Sequence, residues 1–309
     1  MEPIIAQDIV RRYHNGHGIN GVSLSVDTGR CLGVLGANGS GKTTLTRLIA
    51  GLDRIESGQL SILGAPAYNR PPDLRRRCGV ALDMPAHWDA ISGRQNLWFF
   101  ARQYGLKRSG LKTRIDELLA EAELLQQADE PISAYSMGMR RKLNIIEALI
   151  HDPDMLILDE PSAGVDVAFL DRLVNWVHRR SDRGKTTWIA DNDPDWLARA
   201  ATDAILLEEG RVTAIGTVSQ LLASVNATNR IDILLDRPGF STRPTIDGIE
   251  MFRCEENRIT ADVRGNPELT GELVNWITAN GRYIRSMEIH SITLYEALLR
   301  QAKLKGEKT

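Results

Sequence analysis

The sequence predicts an α/β fold with a mixed sheet over residues 1–220 and a small α+β domain over residues 228–309. Three observations support this prediction. A glycine-rich turn at 36–43 separates a short apolar strand from a helical pattern. The stretches 155–158 and 186–190 predict strands, and the first is apolar enough to lie in a parallel sheet buried on both faces. Beyond residue 228, short strand and helix patterns alternate without a recognisable catalytic constellation.

The glycine-rich turn predicts a phosphate-binding site. Its eight residues fit the pattern G-x-x-x-x-G-K-[ST], with a strand before them and a helix after them. Such a loop turns backbone N–H groups toward an anion, and the helix N-terminus adds its dipole. Lys42 is expected to reach the β- and γ-phosphates of ATP, and the hydroxyl of Thr43 to ligate Mg²⁺. The predicted nucleotide-contacting residues are Gly36, Ala37, Asn38, Gly39, Ser40, Gly41, Lys42, Thr43 and Thr44.

Two carboxylates follow the apolar run 155–158. Ligands bind at the carboxyl ends of strands in open α/β sheets, so this position suits a catalytic pair. Asp159 is expected to hold Mg²⁺, directly or through water, and Glu160 to polarise the attacking water as general base. A solvated acidic turn is the alternative, and the phosphate loop elsewhere in the chain makes the catalytic interpretation the stronger one.

The composition is that of an ordinary globular protein. The chain has 309 residues, of which 42% are hydrophobic and 25% charged, and its net charge is −2. This charge supplies no general attraction to nucleic acid, so no nucleic-acid partner is expected. Three widely spaced cysteines favour a reducing compartment. With no signal peptide and no apolar run of membrane-spanning length, a membrane role is expected to require a partner chain.

The remaining elements fit around these motifs. The first thirty residues are expected to be β-rich, with a turn at Asn20-Gly21, and Tyr13 is placed to stack on adenine unless it is an ordinary packed tyrosine. Helical patterns at 92–106 and 112–127 predict a helical subdomain over about residues 92–150. A hairpin pattern at 204–214 precedes the end of the domain near residue 220. In the second domain, the pattern is compatible with a ferredoxin-like arrangement.

The motifs, taken in order, resemble those of an ATP-binding-cassette (ABC) ATPase over residues 4–216. The six matching segments are Tyr13, Gly36–Thr43, Gly79–Leu97, Tyr135–Lys142, Met155–Asp166 and Trp188–Asp193. The resemblance implies a P-loop NTPase fold and a head-to-tail dimer with two ATP molecules between subunits. It also implies that Ser136 and Gly138, in the segment that resembles the family signature, contact the γ-phosphate held by the opposite subunit.

Three positions depart from the family pattern. Aligned on Pro85 and Asn96, the glutamine that contacts Mg²⁺ and water in the family is here Asp83, which remains an oxygen ligand. The histidine that contacts the γ-phosphate is Asn192, which can donate a hydrogen bond but cannot become cationic. The first signature glycine is Met137. Tolerated drift and a retuned ATPase are both compatible with these changes.

The resemblance implies the ATP-hydrolysing subunit of an ABC transporter, an exporter in our interpretation, on the cytoplasmic face of a membrane. Its partners would be a separate transmembrane permease and a second cassette subunit, identical or different. Trp88, Trp98, Phe99 and Phe100 are candidates for the permease groove. Residues 291–298 weakly resemble part of an extension of drug- and antibiotic-export cassettes. A non-transport ABC ATPase and a weakly hydrolysing regulatory subunit are the alternatives.

Overall fold

The computed structural model describes residues 2–13, 18–83, 87–224, 228–240, 244–264, 267–291 and 293–306. Pro85, which anchors the alignment of Asp83, lies outside them. The chain divides into two compact units, Met1–Val218 and Ser219–Thr309. Each unit has its own sheets and its own apolar cluster, so each is described by itself.

A six-stranded sheet forms the centre of the first unit. Its strand order is β10-β9-β3-β8-β7-β6, and all neighbours are parallel except the β9–β10 hairpin. The strands are β3 (Cys31–Leu35), β6 (Cys78–Ala81), β7 (Met155–Asp159), β8 (Thr186–Ala190), β9 (Asp203–Glu208) and β10 (Arg211–Thr217). Every residue of β3, β7 and β8 is buried, as expected of strands covered on both faces. The mixed α/β sheet predicted from the sequence is confirmed.

A second, antiparallel sheet has the order β2-β1-β4-β5. Its strands are β1 (Ile4–Arg12), β2 (Gly18–Val26), β4 (Ser57–Ile62) and β5 (Ala65–Pro66). The turn predicted at Asn20-Gly21 is wrong, because both residues lie inside β2. The β1–β2 register shifts where Ile9 faces Val22 and Val10 faces Asn20, so Gly21 is the extra residue of a β-bulge with φ of 73°. Glycine marks the left-handed backbone of the bulge here, not a chain reversal.

The helices of the first unit cover the sheets and form the insertion. They are α1 (Lys42–Ala50), α2 (Pro72–Arg76), α3 (Gly93–Gln103), α4 (Leu111–Glu121), α5 (Met137–Leu149), α6 (Val167–Asp182), α7 (Pro194–Ala200) and, at the boundary, α8 (Val218–Ser224). Helix α1 packs in one apolar cluster with strands of both sheets, which fixes the loop before it. The amphipathic pattern predicted at 112–127 ends early: α4 stops at Glu121 and Leu125 is 43% exposed.

The second unit is a four-stranded antiparallel sheet with helices. It contains β11 (Thr228–Leu235), β12 (Ile249–Glu255), β13 (Arg258–Arg264), α9 (Pro267–Ala279), β14 (Ile284–Ser291) and α10 (Leu294–Gly306), in the sheet order β12-β13-β11-β14. Strand β11 lies between β13 and β14, which α9 connects, so this part is a split βαβ unit of the ferredoxin-like kind. Within the described part of 236–248, no helix joins β11 to β12.

Candidate nucleotide-binding and catalytic site

The loop between β3 and α1 has the backbone that an anion cradle requires. Gly39 and Gly41 have φ of 82° and 107°, values that other residues rarely adopt. At Gly36 the constraint is space, because an added Cβ would lie 2.3 Å from the carbonyl oxygen of Leu207. The sequence therefore needs glycine at these three places to bring the loop close to the sheet and to curl it above α1.

Lys42 closes this loop on itself. Its Nζ donates hydrogen bonds to the carbonyl oxygens of Gly36 at 2.7 Å and Ala37 at 3.2 Å, and the residue is 5% exposed. Burial lowers the pKa of Lys42, although the nearby carboxylates of Glu160, Asp159 and Asp191 act in the opposite direction. The ammonium thus lies in the cradle, facing the acidic ends of the neighbouring strands.

Asp159 is a buried carboxylate without a hydrogen-bond donor. The residue is 1% exposed, and neither carboxylate oxygen accepts a hydrogen bond from any described residue. Burial raises the pKa of its carboxyl to about 6, whereas the Thr43 hydroxyl, which lies close by without regular hydrogen-bond geometry, lowers it. An unpaired buried carboxylate is costly unless a cation binds it, so Asp159 together with the Thr43 hydroxyl fits Mg²⁺.

The protein ligands available for that ion are few. No group of three or more His, Cys, Asp or Glu side chains with metal-binding geometry occurs among the described residues. Mg²⁺ usually takes one or two carboxylates and completes its shell with water and substrate phosphates. The donor set of Asp159 and Thr43 therefore suits an ion that arrives with the nucleotide.

Glu160 follows Asp159 in a strained backbone conformation. Its φ is 50°, and its N–H donates to the carbonyl oxygen of Ala190 in β8 at 2.7 Å. The side-chain amide of Asn192 donates to its carboxylate Oε1 at 2.9 Å. The residue that replaces the family histidine is therefore in direct contact with the predicted general base.

Asp191 is a site residue to which sequence reasoning gave no role. Its carboxylate accepts hydrogen bonds from the Ser162 hydroxyl at 2.6 Å and N–H at 3.0 Å, and from the N–H groups of Asn192 and Asp193 at 2.7 and 3.0 Å. Burial raises the pKa of this carboxyl, and these four hydrogen bonds oppose the shift. Asp191 ties the loop after Glu160 to the loop after β8.

Asp83 forms an ion pair with Arg141 of α5, which no sequence pattern indicated. The Arg141 side chain is 7% exposed, and it also donates to the carbonyl oxygens of Leu82 at 3.1 Å and Asp159 at 3.4 Å. Negative charge on Asp83 contributes to the raised pKa of Asp159, so the two carboxyls lie in one electrostatic neighbourhood. Asp83 thus connects the surroundings of Asp159 to helix α5.

The segment resembling the family signature starts α5. The Ser136 hydroxyl accepts a hydrogen bond from the Met139 N–H at 3.2 Å, which makes it the N-cap of α5. Met137 is 80% exposed and blocks nothing within the chain. A Cβ on Gly138 would lie 2.5 Å from the carbonyl oxygen of Gly164, so glycine lets the helix start touch the loop after Glu160.

Three consecutive cations follow and pair with carboxylates of two connections. Arg140 binds Asp89 at 2.8 Å, Arg141 binds Asp83, and Lys142 binds Asp166 at 2.5 Å. The last of these carboxylates also caps α6 by accepting a hydrogen bond from the Phe169 N–H at 2.9 Å. The start of α5 is therefore linked electrostatically to the segment 83–89 and to the loop after Glu160.

The predicted aromatic residues divide into two groups. Tyr13 donates a hydrogen bond to Asp53 at 3.1 Å, and the Arg11 guanidinium lies 5.1 Å from its ring centre. Trp88 is 56% exposed and its ring lies 5.1 Å from that of Phe99. Phe100, whose ring lies 5.3 Å from that of Phe99, lines an open cleft of about 530 Å³ together with other residues of α2, β6 and α3.

Together, the phosphate loop, the orphaned carboxylate and the glutamate beside it define a P-loop nucleotide hydrolase. The comparisons identify the family. The ABC transporter family model matches residues 19–163. The Nod factor export ATP-binding protein I of Burkholderia orbicola (strain AU 1054) is 32% identical over 282 residues, which cover 87% of this chain and 92% of that protein. The chain therefore belongs to the ABC transporter family and is an ATP-binding, ATP-hydrolysing subunit.

Other relatives agree with this assignment. The ABC transporter ATP-binding protein NatA of Bacillus subtilis (strain 168) is 30% identical over 207 residues, covering 67% of this chain and 84% of that protein. A solved structure of the ATP binding subunit of an ABC transporter is 25% identical, with a TM-score of 0.66 over 72% of this chain and 92% of that one. These matches confirm the predicted fold class, family and ATPase activity. In the described part of the chain, no helix is long and apolar enough to cross a membrane.

Proposed function

We propose that this chain is the Mg²⁺-dependent ATPase of an exporter, acting on a separate transmembrane permease from the cytoplasmic face of the membrane. The observation that carries the proposal is the juxtaposition of Lys42, the orphaned Asp159 carboxylate and Glu160 at the carboxyl ends of β3 and β7, the two neighbours of β8. The export direction rests on the relatives named as Nod factor export proteins. The domain division proposed is a nucleotide-binding domain over 1–220, with its helical subdomain at about 92–150, and an accessory domain over 228–309.

In the proposed reaction, the loop 36–43 cradles the phosphates of ATP. The Lys42 ammonium exchanges the carbonyl oxygens of Gly36 and Ala37 for β- and γ-phosphate oxygens. Asp159 and the Thr43 hydroxyl would hold Mg²⁺, and Asp83 would complete the acidic side of the site. Bound Mg²⁺ supplies charge neutralisation at the phosphates.

Glu160 accepts the proton of the attacking water, and Asn192 positions it. The 2.9 Å hydrogen bond from the amide fixes which way the carboxylate oxygen Oε1 points. A second cassette subunit would close Ser136 and Gly138 over the γ-phosphate, where the N-terminus of α5 favours an anion. Tyr13 is proposed to contact the adenine, and the cleft beside Phe99 and Phe100 to receive the permease.

The test is Glu160→Gln. The variant should bind ATP as wild type does and hydrolyse it at least about a hundredfold more slowly, because a positioned general base contributes that much. With hydrolysis blocked, ATP should trap a dimer on gel filtration. Asp73→Asn, at an exposed carboxylate on α2, is the matched control. Unaltered turnover together with a monomer in ATP would contradict both assigned roles.

A weakly hydrolysing regulatory subunit is the second candidate, and the Arg141–Asp83 ion pair favours it. A carboxylate engaged by a guanidinium is a weaker metal ligand than a free one. Steady-state ATPase measurement separates the two: saturable turnover abolished by Glu160→Gln supports the motor, and turnover no higher than that of the Glu160→Gln variant supports the regulatory subunit.

A further inference from the structure

The parallel strands β6 and β7 lie side by side, and their backbone pairing ends at Ala81 and Leu158. Two candidate ligands of Mg²⁺ lie just beyond that last pair. Asp159 is the final residue of β7, and Asp83 lies two residues after the end of β6. Hydrogen bonds between β6 and β7 therefore do not fix the spacing of these two carboxylates, and other groups must do so.

Two buried side chains of α5 connect the strand ends beyond that point. Arg141 donates from Nη1 to the carbonyl oxygens of Leu82 at 3.1 Å and Asp159 at 3.4 Å, so one guanidinium nitrogen joins the ends of both strands. Asn144, about one turn further along the helix, donates from Nδ2 to the same Leu82 oxygen at 2.8 Å. Side chains of α5 thus provide hydrogen bonds that the carbonyl groups at the strand ends require.

The second terminal nitrogen of Arg141 engages a candidate metal ligand. Its Nη2 pairs with Oδ1 of Asp83. Within the described ranges of the chain, no other donor forms a hydrogen bond with this carboxylate, which leaves Oδ2 for the ion. A guanidinium is a rigid planar fork, so its acceptors are held in a defined geometry that a flexible ammonium does not impose. Arg141 therefore fixes the carboxylate of Asp83 relative to the backbone of Asp159.

Two opposite roles are compatible with an arginine in this place. As a competitor, the guanidinium would occupy Asp83 instead of Mg²⁺ and would weaken binding of the ion. As a positioning group, it would hold Asp83 still and leave Oδ2 to the ion. The contacts favour positioning, because a competitor needs only the carboxylate, whereas Nη1 of Arg141 is anchored on the ends of both strands. The two roles predict changes of opposite sign when the fork is removed.

We propose that Arg141, with Asn144 beside it, is a positioning residue for the ATPase reaction: it holds Asp83 next to Asp159 for the Mg²⁺ that arrives with ATP. This inference rests on the proposed function, because it takes both carboxylates as the acidic side of the metal site. The helix that carries Arg141 begins after its N-cap Ser136. One helix therefore connects the residue proposed to contact the γ-phosphate of the opposite subunit to the metal ligands of this subunit.

The experiment titrates the full chain with a non-hydrolysable ATP analogue, adenylyl imidodiphosphate, by calorimetry, once with Mg²⁺ and once with EDTA. The ratio of the two affinities measures how much the metal contributes to binding. Arg141→Lys keeps the positive charge but loses the fork. It should lower this ratio about tenfold, the effect of one lost hydrogen bond to a charged group, and leave the affinity in EDTA unchanged. Arg199→Lys, at an exposed arginine paired with Asp171, is the matched control and should keep the wild-type ratio.

Asn144→Ala is the second variant, and it decides the test if Arg141→Lys does not fold. It removes one anchor without changing the charge and should lower the ratio about threefold. Unfolding free energies are measured in parallel, because a purely structural contact would lower stability and leave the ratio unchanged. A ratio in Arg141→Lys equal to that of Arg199→Lys overturns the proposal, and a higher ratio assigns the competitor role instead. If Mg²⁺ does not strengthen binding even in the control, the proposed function fails together with this inference.

Discussion

Asp159 ends β7 and Asp191 follows β8, the adjoining parallel strand, and each is 1% exposed. Burial raises the pKa of both carboxyls, yet their surroundings differ. Asp191 accepts four hydrogen bonds from Ser162, Asn192 and Asp193. Asp159 accepts none from the described residues. Burial alone therefore does not mark a functional carboxylate; the lack of a donor does, since the fold leaves that site for a ligand.

The largest expected effect is on ATP hydrolysis, and it tests the functional role that distinguishes Asp159 from Asp191. Asp159→Asn should lower Mg²⁺-dependent ATP hydrolysis by about a hundredfold to a thousandfold, as loss of one preorganised electrostatic group does. The exposed Asp73→Asn, on α2, is the control and should turn over ATP normally. The measurement is the steady-state ATPase rate over a range of Mg²⁺ concentrations. A hydrolysis rate in Asp159→Asn equal to that of the control would remove Asp159 from the metal site.

The same substitution at the two positions should change stability in opposite directions. Asp191→Asn places an amide against N–H donors and should lower the free energy of unfolding by about 2 kcal/mol. Asp159→Asn removes an unpaired buried charge and should raise it by up to about 2 kcal/mol at pH 7.5, without nucleotide or Mg²⁺. Chemical denaturation of both variants measures the change in the free energy of unfolding. Changes in the same direction would contradict the proposed difference between the two carboxylates.

The pH dependence of that difference follows from the pKa of Asp159. Its folded value, about 6, is higher than the ordinary 3.8, so the folded state binds the proton more tightly than the unfolded state does. The ionised carboxylate destabilises the folded chain above pH 6, and this penalty disappears as the pH falls toward 4. The advantage of Asp159→Asn should therefore shrink over the same range, and an advantage independent of pH would argue for another cause.

A smaller effect is expected at the Arg141–Asp83 ion pair, which connects α5 to the metal site. Because Asp83 is 56% exposed, solvent weakens the pair, and a double-mutant cycle with Arg141→Gln and Asp83→Asn should give a coupling of about 1 kcal/mol. Unfolding free energies of the four proteins measure it. Strictly additive effects would show that the contact contributes nothing.

The smallest expected effect concerns Asn192, which holds Glu160. Asn192→Ala removes the donor and should slow hydrolysis a few-fold, whereas Asn192→His keeps an N–H donor, adds a group that can become cationic, and should raise the rate a few-fold. ATPase rates of the two variants are compared with wild type. If histidine is slower than alanine, the site has been reorganised around the amide.

Local signals were sufficient for much of the fold and for part of the site. The phosphate loop and the apolar run before Asp159 are each a continuous stretch of sequence. Each pattern by itself predicts its local structure, so the strands, the loop and the helix after it could be predicted. The Asp191–Ser162 and Arg141–Asp83 contacts join residues 29 and 58 positions apart, and no spacing rule connects them. Leu125 matched the helical period but lies beyond the end of α4, because periodicity does not show where a helix stops.

The hydrogen bonds that Lys42 makes to its own loop bear on how the subunit passes from one ATP to the next. Because the Lys42 ammonium donates to the carbonyl oxygens of Gly36 and Ala37, hydrogen bonds within the loop itself support its shape. After ADP leaves, the loop is expected to keep the conformation that binds ATP, so the next binding event requires little reordering of the backbone. An ATPase that turns over many times benefits from a phosphate-binding loop that keeps its shape between turnovers.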